Sequence, residues 1–358
     1  MTAADHPILF IPGPVEVDEE LRRIMAMPLV GHRSGPVKDL AVRVCERLKA
    51  LYRTEAHAFF ENAPATAVME AALRNLVRQR SLHLTCGAFS ERWHAIAAAC
   101  GRSPEAIAVD WGRAHAPDAL RTALRAAEEP FEAVCITHCE TSPGVLAPVE
   151  DLARVVHDES PDTLVLVDAV TSVGGARLEF DAWGIDLAFA GTQKCLALPP
   201  GLVTFALSER AIAKAASVPG RGFLLDFTLA PARFAKGETP ATPCVPLLYA
   251  LDHQLERIER ETLEGRWARH LALRDRSIAW GEAHGCPPFV EDPERRSPTV
   301  TTLCCEEPRL DALIAAAKAA GFTLGKGYGK LKATTFRIGH MGDHPPERLD
   351  ALLRALSA

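Results

Sequence analysis

Apolar residues recur at helical spacing in three stretches of the first half of the chain. DLAVRVCERLKALYR (39–53), ATAVMEAALRNLV (65–77) and PDALRTALRAAEE (117–129) each read as an amphipathic helix. The third begins with proline, where a missing N–H costs little. Between and after these helices come short runs without helical period: AVCIT (133–137), TLVLVDA (163–169), DLAFA (186–190) and LVTFAL (202–207). TLVLVD is apolar without alternation, the pattern of a parallel strand covered on both faces. Helix and strand in alternation predict an α/β sheet.

The texture changes after about position 246. A long helical stretch with dense charge on one face runs to about 284 and crosses from a first unit into a second. A strand (TVTTLCC), a helix (RLDALIAAAKAAG), a loop (GKGYGKLK, 325–332), a strand (TTFRIG) and a terminal helix from about Pro346 follow. The expected division is an N-terminal segment (1–15), a large domain (16–245) and a small α+β domain (246–358). A chain of 358 residues is longer than one hydrophobic core usually serves.

Composition narrows the function classes. The net charge of −6 argues against nucleic acid or an anionic membrane as partner. No apolar run approaches the roughly 20 residues that span a bilayer. The opening MTAADHPILF lacks the basic-then-apolar order of a secretory leader. Ten scattered cysteines without a C-x-x-C pair suit reduced thiols and a cytoplasmic location.

Parallel α/β sheets bind ligands at the carboxyl ends of their strands. Asp168 follows TLVLV, Lys194 follows DLAFA within GTQK, HCETSPG follows AVCIT, and ENAPATA opens a helix. An acid and an amine at one sheet edge have two readings. One is a salt bridge. The other is a pyridoxal phosphate site, with lysine as Schiff-base partner and aspartate facing the ring nitrogen. His138, Cys139 and Glu140 are consecutive and cannot all face one ion from a strand. His340 and His344 are four apart, but Gly342 and Pro345 break the helix that would align them, so no metal is expected.

Several motifs together resemble the class V aminotransferases of the fold-type I pyridoxal-phosphate enzymes, the alanine/serine–glyoxylate and phosphoserine aminotransferases among them. They are IPGPVEV (11–17), GHRS (31–34), GAFSERW (87–93), HCETSPGV (138–145), VDAVTSVGG (167–175), DLAFAGTQKCLALPPG (186–201) and GYGKLKATTFRIGHMGD (327–343). The resemblance spans nearly the whole chain. It implies an α/β fold: a large domain with a mainly parallel sheet between helices, and a smaller α+β C-terminal domain. It implies pyridoxal 5'-phosphate as cofactor, Lys194 as the lysine that carries it and moves the proton, and Asp168 as partner of the ring nitrogen.

The same resemblance implies further roles. Phe89 stacks on the ring. Thr141, or alternatively Ser142, meets the ring oxygen, and Gln193 belongs to the cofactor set. Ala65, Thr66 and Ala67 form the phosphate cup, although Glu61, Asn62 and Pro64 stand where serine and glycine are usual, and Glu61 should point away from a phosphate. Thr239 and Thr242 reach the phosphate from a neighbouring subunit, making a homodimer with shared active sites. Arg337 takes the substrate carboxylate, and His32 and Arg33 lie near the substrate. The substrates implied are a small amino acid and a 2-oxo acid. Two competing readings are a cysteine desulfurase or β-lyase, for which Cys304 and Cys305 lie in an apparent strand rather than a loop, and a non-catalytic binding protein on this scaffold.

Overall fold

The computed structural model describes residues 6–357. A seven-stranded sheet runs in the order His57–Glu61, Val203–Leu207, Leu187–Gly191, Leu164–Asp168, Ala133–Thr137, Arg80–Thr85, Ser103–Ala108. Only Val203–Leu207 runs against the others, pairing antiparallel with both neighbours. The rest share one direction and deliver their carboxyl ends to one edge. Ala133–Thr137, Leu164–Asp168, Leu187–Gly191 and Val203–Leu207 are buried at every position, as their unbroken apolar runs require of strands covered on both faces.

The three predicted helices are present as Gly35–Tyr52, Ala65–Leu76 and Pro117–Ala126. Three strands escape the apolar pattern: His57–Glu61, Arg80–Thr85 and Ser103–Ala108. The last lies at the sheet edge and is largely exposed, so no apolar run marks it.

A second, four-stranded sheet has the order Ile8–Phe10, Phe322–Lys326, Thr335–Gly339, Val300–Cys304. It builds its own core with Leu273, Trp280, Leu310, Phe336 and Leu352. The stretch expected as one long helical run is two helices, Val245–Glu261 and Leu263–Ala283. Thr262 breaks it at φ +65 and caps the second helix by accepting the Gly265 N–H at 3.1 Å. The loop expected at 325–332 is shorter, because Gly325 and Lys326 complete a strand.

Leu248, Leu251, Leu255 and Ile258 of the first of these helices pack into the larger core. We therefore propose that the larger unit runs through Glu261 and the smaller begins at Leu263, with Ile8–Phe10 joined to it. The segment expected at 1–15 lies partly outside the described residues. Among the described residues no helix is long and apolar enough to cross a membrane.

One buried cation ties the units together. Arg266 is 1% exposed and donates to Asp343, Glu261 and the Cys195 carbonyl, each at 2.7 Å. Burial alone would raise the Asp343 pKa, but Arg266 and Arg257 beside it hold it below the usual carboxylate value. Truncating one partner of a buried pair leaves an uncompensated charge. Asp343→Ala should therefore cost about 3 kcal/mol, the low end for such pairs because Glu261 remains. The measurement is the denaturant midpoint; an unshifted midpoint would show that the pair contributes nothing.

Candidate active site

Asp168 ends its strand between Thr137 and Phe189 in register. It is buried, and its Oδ1 accepts the Val170 N–H at 3.0 Å. Burial pushes its pKa up to about 7 and Glu140 adds to this; Lys194 and Arg92 oppose it without cancelling it. Lys194 lies in the turn after Leu187–Gly191 and donates to the Pro12 carbonyl. Burial first, and the Arg337 charge second, lower its pKa to about 8. The two groups sense each other, yet no ion pair joins them among the described residues, so the salt-bridge reading does not describe this edge.

The 11–17 segment closes over the lysine. Gly13 adopts φ +112, and a Cβ there would overlap the Lys194 side chain, so both conformation and space demand glycine. The Val15 N–H donates to the Gln193 carbonyl at 3.1 Å, while Arg266 holds the carbonyl of Cys195 on the other side of Lys194.

Glu140 is fully buried and accepts the N–H groups of Phe89 (3.0 Å) and Ser90 (2.9 Å) at the start of helix Ala88–Ala99. A Cβ at Gly87 would strike this carboxylate arm and the Ser142 hydroxyl. Ser142 is committed: its hydroxyl donates to Glu140 at 2.7 Å and accepts the Ala88 N–H at 3.0 Å. The Thr141 hydroxyl forms no hydrogen bond with the described residues. Of the two candidates, Thr141 is therefore the available one. Phe89 presents its ring to Tyr328 (5.7 Å between centroids) and to the Arg92 guanidinium (4.9 Å).

Arg337 donates to the Thr141 carbonyl at 3.2 Å and lies 5.6 Å from the Tyr328 ring centre. It has no acidic partner among the described residues. Burial lowers its pKa to about 10. A guanidinium so placed lacks the counter-ion that burial demands.

Helix Ala65–Leu76 starts at Pro64 with no side-chain cap, leaving the Ala65 and Thr66 N–H groups toward the sheet edge without a capping oxygen; the Ala67 N–H is taken by the Pro64 carbonyl at 2.9 Å. Glu61 folds back onto the Asn62 N–H (2.9 Å), and burial raises its pKa. Asn62 has a structural task of its own. It donates to the Thr242 carbonyl (2.7 Å) and accepts the Cys244 N–H (2.9 Å), pinning that segment to the strand end.

The site residues fall into two groups. Lys194, Asp168, Thr141, Phe89 and Arg337 gather at the sheet edge. His32, Arg33, Thr239 and Thr242 line a separate cleft of about 430 Å³, of which Lys194 is not a wall. Sequence reading missed Glu140, Tyr328, Gly13 and Asn62 as contributors. Glu140 alone left a signal, as a carboxylate in the polar stretch just after the buried strand Ala133–Thr137. His344 stacks on Phe10 (4.3 Å) and His340 bonds Thr301 (2.9 Å), so both serve packing. Cys304 lies in a strand and Cys305 is buried just beyond it.

The lowered Lys194 pKa has a measurable sign. A lysine whose ammonium is disfavoured in the fold loses its proton earlier, so in cofactor-free protein its acylation by an amine reagent should rise through about pH 8 rather than 10.5. Arg337→Ala removes the second cause and should move that midpoint upward. A midpoint near 10.5 would refute the burial argument.

A family model described as Aminotransferase class-V matches residues 82–309. An uncharacterised aminotransferase of Methanocaldococcus jannaschii is 34% identical over 342 residues, 94% of this chain and 88% of that one. A serine–glyoxylate aminotransferase of Methylorubrum extorquens is 31% identical over 346 residues, 94% of this chain and 86% of that one. The crystal structure of an alanine–glyoxylate aminotransferase from Nostoc sp. superposes with a TM-score of 0.91 at 30% identity, covering 98% of this chain and 94% of that one. With a half-buried lysine and a buried carboxylate outside any ion pair among the described residues on the same sheet edge, this chain belongs to the class V aminotransferases.

Proposed function

We propose that the protein is a pyridoxal-phosphate transaminase. It moves the amino group of a small amino acid (serine, alanine or phosphoserine) to a small 2-oxo acid (glyoxylate, pyruvate or 2-oxoglutarate), using one pocket for both half-reactions in ping-pong order. The observation that carries this reading is Asp168: a carboxylate with one oxygen engaged, raised to about 7 by burial against the pull of Lys194 and Arg92, and with no cation paired to it among the described residues. A protonated ring nitrogen is such a cation.

The remaining donors fit the same group. Lys194 is a lone amine with a lowered pKa, Phe89 a half-buried aromatic face, and Thr141 a hydroxyl without a partner. Ala65, Thr66 and Ala67 open a helix that lacks a side-chain cap, the setting that favours a phosphate. When bound, the cofactor supplies an aldehyde for the amine and a ring that takes up the electron pair left at Cα.

This chain's residues do the rest. Lys194 Nζ takes the Cα proton and returns it, and its lowered pKa keeps the free amine accessible near neutral pH. Asp168 holds the ring N–H. Gln193 borders the cofactor beside Lys194. Arg337 binds the substrate carboxylate through its planar fork. Glyoxylate in the names of two of the similar enzymes supports a small acceptor.

Thr239, Thr242, His32 and Arg33 would serve the site of a second subunit in a two-fold dimer. Exposed Met27, Leu29 (71%) and Val30 beside His32 support a covered surface there. The ten free cysteines support a reducing, cytoplasmic setting.

Protein reconstituted with pyridoxal phosphate should show the cofactor's visible absorbance band, and Lys194→Ala should lose it. Arg337→Ala should keep the band and raise the donor KM by about 10- to 100-fold, the worth of a charged hydrogen-bonding anchor. No band in the unsubstituted protein, or an unchanged KM in the arginine variant, would overturn the respective assignment.

A further inference from the structure

The loop between Phe322–Lys326 and the Arg337 strand is built against the site. The Gly327 N–H donates to the Thr335 carbonyl at 2.7 Å, and a Cβ at Gly327 would strike the Leu331 carbonyl and the Thr335 hydroxyl. Gly329 adopts φ +53 and packs against Trp111, where an added Cβ would lie 3.4 Å from the indole. The Lys330 ammonium sits 4.6 Å from the centre of the same ring, and the indole N–H donates to Glu91 at 2.8 Å. Cation–π contact and glycine fit together clamp the loop of the smaller unit onto the larger one.

Between these clamp points stands Tyr328. Its ring meets Phe89 at 5.7 Å and Arg337 at 5.6 Å. It remains 37% exposed, and its hydroxyl has no hydrogen-bond partner among the described residues. Resting on the transaminase reading, a donor with its carboxylate on Arg337 and its amine toward Lys194 must place its side chain in the space those two leave. Tyr328 is a wall of that space, because it touches Arg337 and Phe89 at once.

We propose that Tyr328 determines donor specificity: its ring limits side-chain length and its hydroxyl reads a side-chain oxygen, so that short, oxygen-bearing donors of the serine class are preferred. A site built to hydrogen-bond such a group discriminates against an analogue that lacks it, whereas an apolar wall discriminates only by size.

The test uses the pyridoxal-phosphate holoenzyme with glyoxylate as acceptor, and kcat/KM for serine, alanine and leucine. Tyr328→Phe should lower the serine-to-alanine ratio about tenfold, the worth of one hydrogen bond. Tyr328→Ala should raise leucine relative to alanine about tenfold, as space for a longer side chain opens. A merely structural role would depress all three donors together with the cofactor band. Uniform loss, or ratios unchanged in both variants, overturns the inference. No turnover with any donor in the unsubstituted holoenzyme sinks the transaminase reading instead.

Discussion

Ionisable groups drawn partly or wholly out of water, with no ion pair among the described residues to offset the cost, define the sheet edge of this protein. Asp168 is buried, Lys194 and Arg337 are half-buried, and each shifts in the direction that disfavours its charge. Desolvation is the largest cause in all three cases. A fold does not gather such groups for its own stability, because each costs free energy until a partner arrives. The function proposed above would offset that cost with a molecule that brings a cation to Asp168 and a carboxylate to Arg337.

The rest of the structure holds that arrangement in place. The parallel strands bring Asp168 and the turns after Ala133–Thr137 and Leu187–Gly191 to one edge. Arg266, paired with Asp343 and Glu261, fixes the backbone next to Lys194 from beneath. Gly13 lets the 11–17 segment lie against the lysine from the other side. Glu140 gives its charge to the start of helix Ala88–Ala99 and so sets the position of Phe89. These three contacts come from segments far apart in the chain, and together they orient the polar residues at the sheet edge.

Two features set this chain beside, rather than on, the commonest pattern of the family it resembles. The phosphate-cup region lacks the usual glycines, and Asn62 instead ties the strand end to the 242–244 segment. The Glu61 carboxylate is turned back onto the Asn62 N–H. The loop carrying Tyr328 is pinned by an indole and an ammonium, so a residue on a surface connection becomes part of the pocket wall.

The sequence by itself determined the middle strands of the central sheet and the polar residues at their edge. Unbroken apolar runs bounded by turn signals fit strands covered on both faces, and polar residues just beyond such runs fall at the rim, which marked Asp168 and Lys194; the roles expected of them came from the resemblance of the surrounding motifs. The break at Thr262 and the edge strand Ser103–Ala108 were not, because a left-handed backbone angle and an exposed strand leave no apolar period. Only the tertiary structure decided that, among the described residues, Arg337 has no acidic partner, that Ser142 is spent on Glu140 while the Thr141 hydroxyl has no hydrogen bond, and that Tyr328 joins Phe89 and Arg337. Those are statements about distances between residues far apart in the chain, and periodicity carries no information about which groups such a fold leaves unpaired.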